Sequence, residues 1–185
     1  MIHEVIPVLV EELREFLEAR INASPEQVVL GNIMNQDGSV AINGEDRLVV
    51  SLINVERDGS HQGKGGQTFD GAPPPVHVNV YLLFSAYFRN PNYVEALKFL
   101  SGVVGFFQSK TIFDHHNTPE LSANTSQVRV EIVNVDWREL SNLWAAIGAK
   151  YVPSVLYRIR SLEMNEDRIV DEVPAVNVTD DLLSL

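Results

Sequence analysis

Few stretches of this sequence have the residue types to do chemistry. Gly63-Lys64-Gly65-Gly66 sets a lysine among glycines, as a phosphate-cradling loop does. It lacks the Gly-x4-Gly-Lys-Ser/Thr spacing, however, and the glycine, proline and polar residues after it do not read as a helix whose N-terminus could hold a phosphate. Asp114-His115-His116 offers a carboxylate and two imidazoles to a metal ion. Neighbouring side chains on an extended segment point to opposite sides, whereas a metal needs them to converge. Ser154 and Ser161 carry hydroxyls, but neither sits in Gly-x-Ser-x-Gly and no histidine lies nearby to activate one. Trp137 and Trp144 stand seven apart and so share a helix face, a spacing that reads as packing or a subunit contact. No catalytic residue, cofactor or metal ligand is assigned.

The bulk composition narrows the remaining classes. The chain has 185 residues, 45% of them hydrophobic and 21% charged, a balance that supports one domain with a core. Its formal net charge is −11 and its 14 Lys and Arg are scattered, so the basic stripe that replaces the counterions of a nucleic acid is missing. There is no cysteine, which removes disulfide scaffolds, thiolate zinc sites and cysteine nucleophiles and is consistent with a reducing cytoplasm. The first 20 residues lack the basic flank and cleavage site of a signal peptide, and charges interrupt them before a membrane span is complete.

The elements follow from periodicity. Ile2, Val5, Ile6, Leu9, Leu13, Phe16 and Leu17 form the apolar stripe of a first helix, with Pro7 in its first two turns. VVLGNI reads as a short strand, and Asp37-Gly38 and Asn43-Gly44 are hairpin signals. RLVVSLINVERD is a strand. VHVNVYLLFSAYF is another, with Val76, Val78, Val80, Leu82 and Phe84 on one face and enough apolar residues opposite to be two-sided. Between these two strands lies a glycine- and proline-rich loop from Asp58 to Pro75.

A second helix opens near Asn90-Pro91, and Val94, Leu97, Leu100, Val103, Val104 and Phe107 are its expected core stripe. QSKTIFDHHNTPEL reads as a surface connection. SQVRVEIVNVD is a further strand with Val128, Val130, Ile132 and Val133 as its apolar set. A third helix ends at Gly148, and SVLYRIRSLEM is the last strand. Trp144 shares a stripe with Leu140, Leu143 and Ile147 and is expected against the sheet, with Ala145, Ala146 and Gly148 allowing close approach. The architecture expected is α+β: one mixed sheet packed by about three helices, over residues 1–165, followed by an acidic arm, 166–185.

The segment NLWAAIGAKYVPSVLYRIR, Asn142 to Arg160, resembles the C-terminal motif of the tail-terminator, or cap, proteins of antifeeding-prophage-like contractile injection systems. LVVSLINVERD, PPPVHVNVYLLFSAYF with YVEALKFLSGVVGFFQSKTIF, and NTPEL are similar to the same family, in the same order, over residues 2 to 165. The insertion DGSHQGKGGQTFDGA departs from the family pattern by its length. The resemblance implies a structural protein rather than an enzyme. It implies a hexameric ring that ends the inner tube, holds the last sheath layer and fixes particle length, with sheath and tube proteins as partners and assembly in the cytoplasm. The rivals from other classes are an assembly chaperone for sheath or tube proteins and a small enzyme with a dispersed site. On the terminator reading the expected partner-binding residues are Asp58, His61, Lys64, Phe69 and Asp70 of the glycine-rich loop, with His115 and His116. Phe69 is the one large apolar residue of that loop and its natural anchor.

Overall fold

In the computed structural model, which describes residues 2–59, 76–122, 125 and 127–164, the elements come in the order α1 (Ile2–Ile21), β1 (Val28–Leu30), β2 (Arg47–Arg57), β3 (Val76–Tyr87), α2 (Tyr93–Ser109), β4 (Ile112–Asp114), β5 (Gln127–Val133), α3 (Trp137–Ile147) and β6 (Ser154–Met164). One six-stranded sheet has the order β1-β2-β3-β6-β5-β4. β1 runs parallel to β2, and the other neighbours are antiparallel. The expected single mixed sheet with three helices is what forms. The loop from 60 to 75 and the arm from 165 to 185 lie outside the described residues.

Alternation along the central strands builds two cores at once. Leu48 and Val50 of β2, Leu82 and Phe84 of β3, and Tyr157 and Ile159 of β6 face α1 and α2. Val49, Leu83 and Leu156 point the other way and meet α3 and Ile33. Both faces of the middle of the sheet are therefore apolar, as the two-sided reading of β3 required. Val76, at the far end of β3, is exposed beyond this cover.

α1 buries Val5, Ile6, Leu9, Val10, Leu13 and Leu17 and runs through Pro7 as one helix. Near the start of a helix a missing N–H costs little. Arg14 fixes the helix to the sheet, its Nε and Nη2 donating to the Val28 carbonyl at 3.1 and 2.8 Å. At the other end of the pair, Lys110 Nζ donates to both carboxylate oxygens of Glu12 at 2.8 and 2.6 Å, to the Asn117 carbonyl and to Thr118 Oγ1. Burial pushes the Tyr157 phenol above the usual tyrosine value. The fold favours the neutral phenol, so this group weakens the fold only as pH rises past ~10, where the unfolded chain ionises first.

α2 corrects the expected stripe. The residues it buries are Ala96, Phe99, Gly102, Val103, Phe106 and Phe107, while Val94, Leu97 and Val104 are exposed, at 69%, 44% and 40%. The helix is apolar on nearly every side, so period alone does not choose the inward face. The large rings decide it: Phe106 packs at a tilt against Phe16, with centroids 5.4 Å apart, and Phe99 against Phe88 at 5.1 Å. Gly102 lets α1 close in, since a Cβ there would sit 2.3 Å from Leu17 Cδ2.

Gly105, one turn on, has nothing within 4 Å of such a Cβ. Two alanine substitutions are therefore expected to part ways. Gly105→Ala should stabilise by about 0.5–1 kcal/mol, the helix cost of glycine. Gly102→Ala should destabilise despite the same helix gain, because overpacking against the fully buried Leu17 costs about 1–3 kcal/mol. Urea midpoints of the two variants check this, and midpoints shifted in the same direction would refute the packing argument.

Two smaller corrections concern β4 and the tryptophans. The segment read as a surface connection contains β4, paired to β5 through Ile112↔Arg129, Phe113↔Val128 and Asp114↔Gln127, with Phe113 fully buried. A three-residue strand is too short to announce itself by alternation. Trp137 and Trp144 do share an angular position on α3, but Trp137 is 85% exposed and Trp144 is 4% exposed. Trp137 is the first residue of the helix, immediately after its N-cap, and Trp144 lies two turns further in. Ala145 and Ala146, expected to ease the helix onto the sheet, are exposed.

Candidate interaction surfaces

The surfaces, not a buried centre, carry what is unusual in this molecule. α3 begins at Asp136, whose carboxylate accepts from the N–H groups of Arg138 and Glu139, both at 2.8 Å, while Glu139 reaches back to the Asp136 N–H. This capping box fixes the helix start and holds Trp137 outward. Gly148, at φ +74°, ends the helix in the left-handed conformation glycine favours. Tyr151, 58% exposed, follows and packs edge-on against Trp144 with centroids 5.7 Å apart.

Beyond α3 the same face of the sheet is polar. Arg158 of β6 donates to Glu131 of β5 at 3.2 Å, and Arg160 reaches the same carboxylate at 3.4 Å. Tyr81 of β3 donates its phenolic proton to Glu56 of β2. These polar contacts span four strands, and the two Arg–Glu131 contacts are partly exposed ion pairs of modest energy, about 0–1 kcal/mol each. Burial first, and then the Glu56 carboxylate, raise the Tyr81 phenol above its usual value. On its outer edge β2 is paired to β1 only through Leu48–Val50, so among the described residues Leu52 to Arg57 have no strand beside them there. Leu52 and Val55 on this stretch are exposed.

On the opposite side, two grooves flank α1, each of about 770 Å³. One lies between α1 and α2 and is lined by Phe16, Ile21, Val94, Leu97 and Gly105, with Arg20 and Lys98 at its rim. The other is bordered by Glu11, Glu12, Glu15 and Glu120 around Lys110. Among the described residues, no group of three or more His, Cys, Asp or Glu could hold a metal ion. Among them also, no helix is long and apolar enough to cross a membrane.

The residues expected to bind partners are not gathered into one place by what is described. Asp58 is buried, 6% exposed, and its backbone N–H donates to the His77 carbonyl at 2.8 Å. His115 and His116 are exposed in the turn after β4, where the His116 N–H donates to Asp114 Oδ1 at 2.9 Å. His61, Lys64, Phe69 and Asp70 lie outside the described residues. Sequence reasoning left Trp137 between packing and a subunit contact and missed the outer face of α2 as a surface feature, because both look like core residues by type. Only the sign of their exposure marks them.

The model of the Pvc16 N-terminal domain matches residues 4–177. The chain belongs to that family. Two solved structures share the fold. One is the sheath/tube terminator, in the extended state, of an extracellular contractile injection system designated PVC. It is 14% identical, with a TM-score of 0.62, over 90% of this chain and 57% of that one. The second is the anti-feeding prophage cap, a tube-terminating cap, also 14% identical, with a TM-score of 0.51, over 85% of this chain and 54% of that one. At this identity the likeness is one of fold, and the chain spans little more than half the length of either. No curated protein matches the sequence.

Proposed function

We propose that this Pvc16 N-terminal domain is a structural subunit that caps a contractile injection particle. It ends the inner tube, holds the last sheath layer and so fixes particle length. One observation carries the reading: 90% of the chain shares the fold of a sheath/tube terminator of a contractile injection system. The role needs surfaces rather than an active centre, and the molecule offers Trp137, Tyr151 and an unpaired stretch of β2. Aromatic side chains are common anchors of interfaces, and open sheet edges accept strands from neighbours. A closed ring of identical subunits, a hexamer on this reading, needs head-to-tail contacts of this sort. The sheath and tube proteins are its partners, assembly takes place in the cytoplasm, and the subunit catalyses no reaction. The glycine-rich loop with His61, Lys64, Phe69 and Asp70 is a further partner contact in this proposal, together with Asp58, His115 and His116.

Electron microscopy of particles made with and without the chain tests it. The expected result is a ring at one end of intact particles, and tubes of irregular length when the chain is absent. Particles of normal length lacking it entirely would refute the cap, and a chain found only in unassembled fractions would make it a transient assembly factor. Trp137→Ala is expected to leave the melting temperature within about 1 °C, since an exposed side chain contributes little to the fold, yet to lower incorporation into particles. Full incorporation of this variant would remove Trp137 from the interface.

A further inference from the structure

The sheet is covered unequally. α1 and α2 lie on one face, and among the described residues α3 is the one helix on the other, so part of that second face carries no helix. Arg158 and Arg160 of β6 stand there, about 7 Å apart along the strand. Arg129 of β5 is directly opposite Arg160. Their neighbours Val128, Val130, Tyr157 and Ile159 face α1 and α2, so alternation turns the arginines the other way. Like charges placed opposite one another on neighbouring strands repel. Glu131 answers two of the three, at 3.2 Å from Arg158 and 3.4 Å from Arg160, while Glu56 of β2 is engaged by Tyr81. Arg129 is exposed and makes no ion pair among the described residues. A chain of net charge −11 thus keeps an excess of positive charge at this place.

α1 supplies the opposite charge in a matching arrangement. Glu11, Glu15 and Glu18 are exposed and fall at intervals of four and three, which lines them up on the side away from the buried Val5, Leu9 and Leu13. They follow one another at about 6 and 5 Å along the helix axis, close to the spacing of the arginines. Glu11 is held by Arg14 at 2.7 Å, whereas Glu15 and Glu18 make no ion pair among the described residues. Like charges at these intervals on a helix repel. α2 and α3 carry one glutamate each, Glu95 and Glu139, so neither presents such a row. The arginines and the glutamate row lie on opposite sides of the sheet and cannot meet within one chain. We propose that the arginine face of one subunit receives the Glu11, Glu15 and Glu18 row of α1 from a second copy, which covers the helix-free part of the sheet and relieves the repulsion on both surfaces. Such a contact joins two different patches, so it is head-to-tail and closes into a ring if the rotation between copies allows. It gives residues to the ring of the proposed function, and only the closure into a ring rests on that reading.

Sedimentation of the purified full chain tests this without particles. The parent protein is expected to associate as its concentration rises and to dissociate when salt is raised from about 0.05 to 0.5 M, because salt screens exposed charges. Arg129→Glu with Arg160→Glu, which leaves Arg158 to hold Glu131, should weaken association about tenfold or more, and so should Glu15→Lys with Glu18→Lys. The first variant has two acidic surfaces and the second two basic ones, so an equal mixture of them should associate again. A chain with all four changes should also recover, which sets a lost contact apart from a damaged fold. Association unaffected by either pair, a mixture that stays apart, or a parent chain that is monomeric at every concentration overturns the contact. If the arginine pair alone lowers association, the occupant is another acidic surface and the proposal fails. Particles that lack the chain would strike the capping role and leave this contact standing.

Discussion

Trp144→Ala is expected to lower the stability of the dilute monomer by about 3–5 kcal/mol, a large part of the roughly 5–15 kcal/mol that holds a domain of this size. The indole is 4% exposed and fills the second core with Ile33, Val49 and Leu83, ringed by the half-buried Leu140, Leu143, Ile147 and Leu156. This core is small and α3 is held to the sheet largely through it, so a cavity there has few neighbours able to collapse into it. The indole N–H is buried without a hydrogen-bond partner among the described residues, which offsets some of the gain from burying the ring. Trp144→Phe should therefore cost clearly less than Trp144→Ala, since it keeps much of the volume and removes the orphaned donor. Thermal melts of both variants at low concentration decide it. A dilute alanine variant that melts as the parent does would place Trp144 in an interface rather than the core.

The companion experiment concerns the first core. Phe107 lies at the centre of an aromatic cluster, with ring centroids 4.5 Å from Tyr157, 4.9 Å from Phe106, 5.4 Å from Phe84 and 6.3 Å from Phe113. It is the joint between α2 and strands β3, β4 and β6. Phe107→Ala is expected to cost about 3–5 kcal/mol from the lost burial and the cavity, with each edge-on or tilted pair adding to the loss. Phe107→Leu, which keeps most of the volume, isolates the aromatic part and should cost less than half as much. Urea unfolding followed by fluorescence, with the slope held constant, gives both values. A loss under about 1 kcal/mol for the alanine variant would mean that the cluster repacks around the gap, against the close packing expected of such an interior.

How far these features are legible in the sequence differs from element to element. α1 is read largely correctly, missing only the buried Val10, because its polar side is strongly charged, which leaves one arrangement of Val5, Leu9, Leu13 and Leu17 toward the core. β3 is read correctly as two-sided because a strand alternates whether or not both faces are apolar. α2 is misread in part: Val103 and Phe107 turn inward as expected, but Val94, Leu97 and Val104 fit the 3.6-residue period as well as Phe99 and Phe106 do. Which set turns inward depends on the shape of α1, and in particular on Leu17 filling the gap over Gly102. β4 is invisible because three residues give no period at all, and Phe113 becomes a core residue only when β5 arrives beside it from 14 or more positions later. The exposure of Trp137 has the same origin: residue type favours the core, while the capping box at Asp136 starts the helix where the sheet no longer covers it.

The amino-acid sequence by itself determined the longer elements, the α+β class and the absence of any local catalytic signature, and through its resemblance to tail terminators it pointed to the family. These are properties of local pattern: periodicity, turn chemistry and charge are set by near neighbours along the chain. Tertiary structure alone decided the strand order, the division of the interior into two cores on opposite faces, and the charges that set one α1 groove apart from the other. Each of these depends on residues far apart in the chain, such as Arg20 beside Lys98 or Glu56 beside Tyr81. No spacing rule encodes such meetings, because they arise only when packing has fixed which faces are covered and which are left to water.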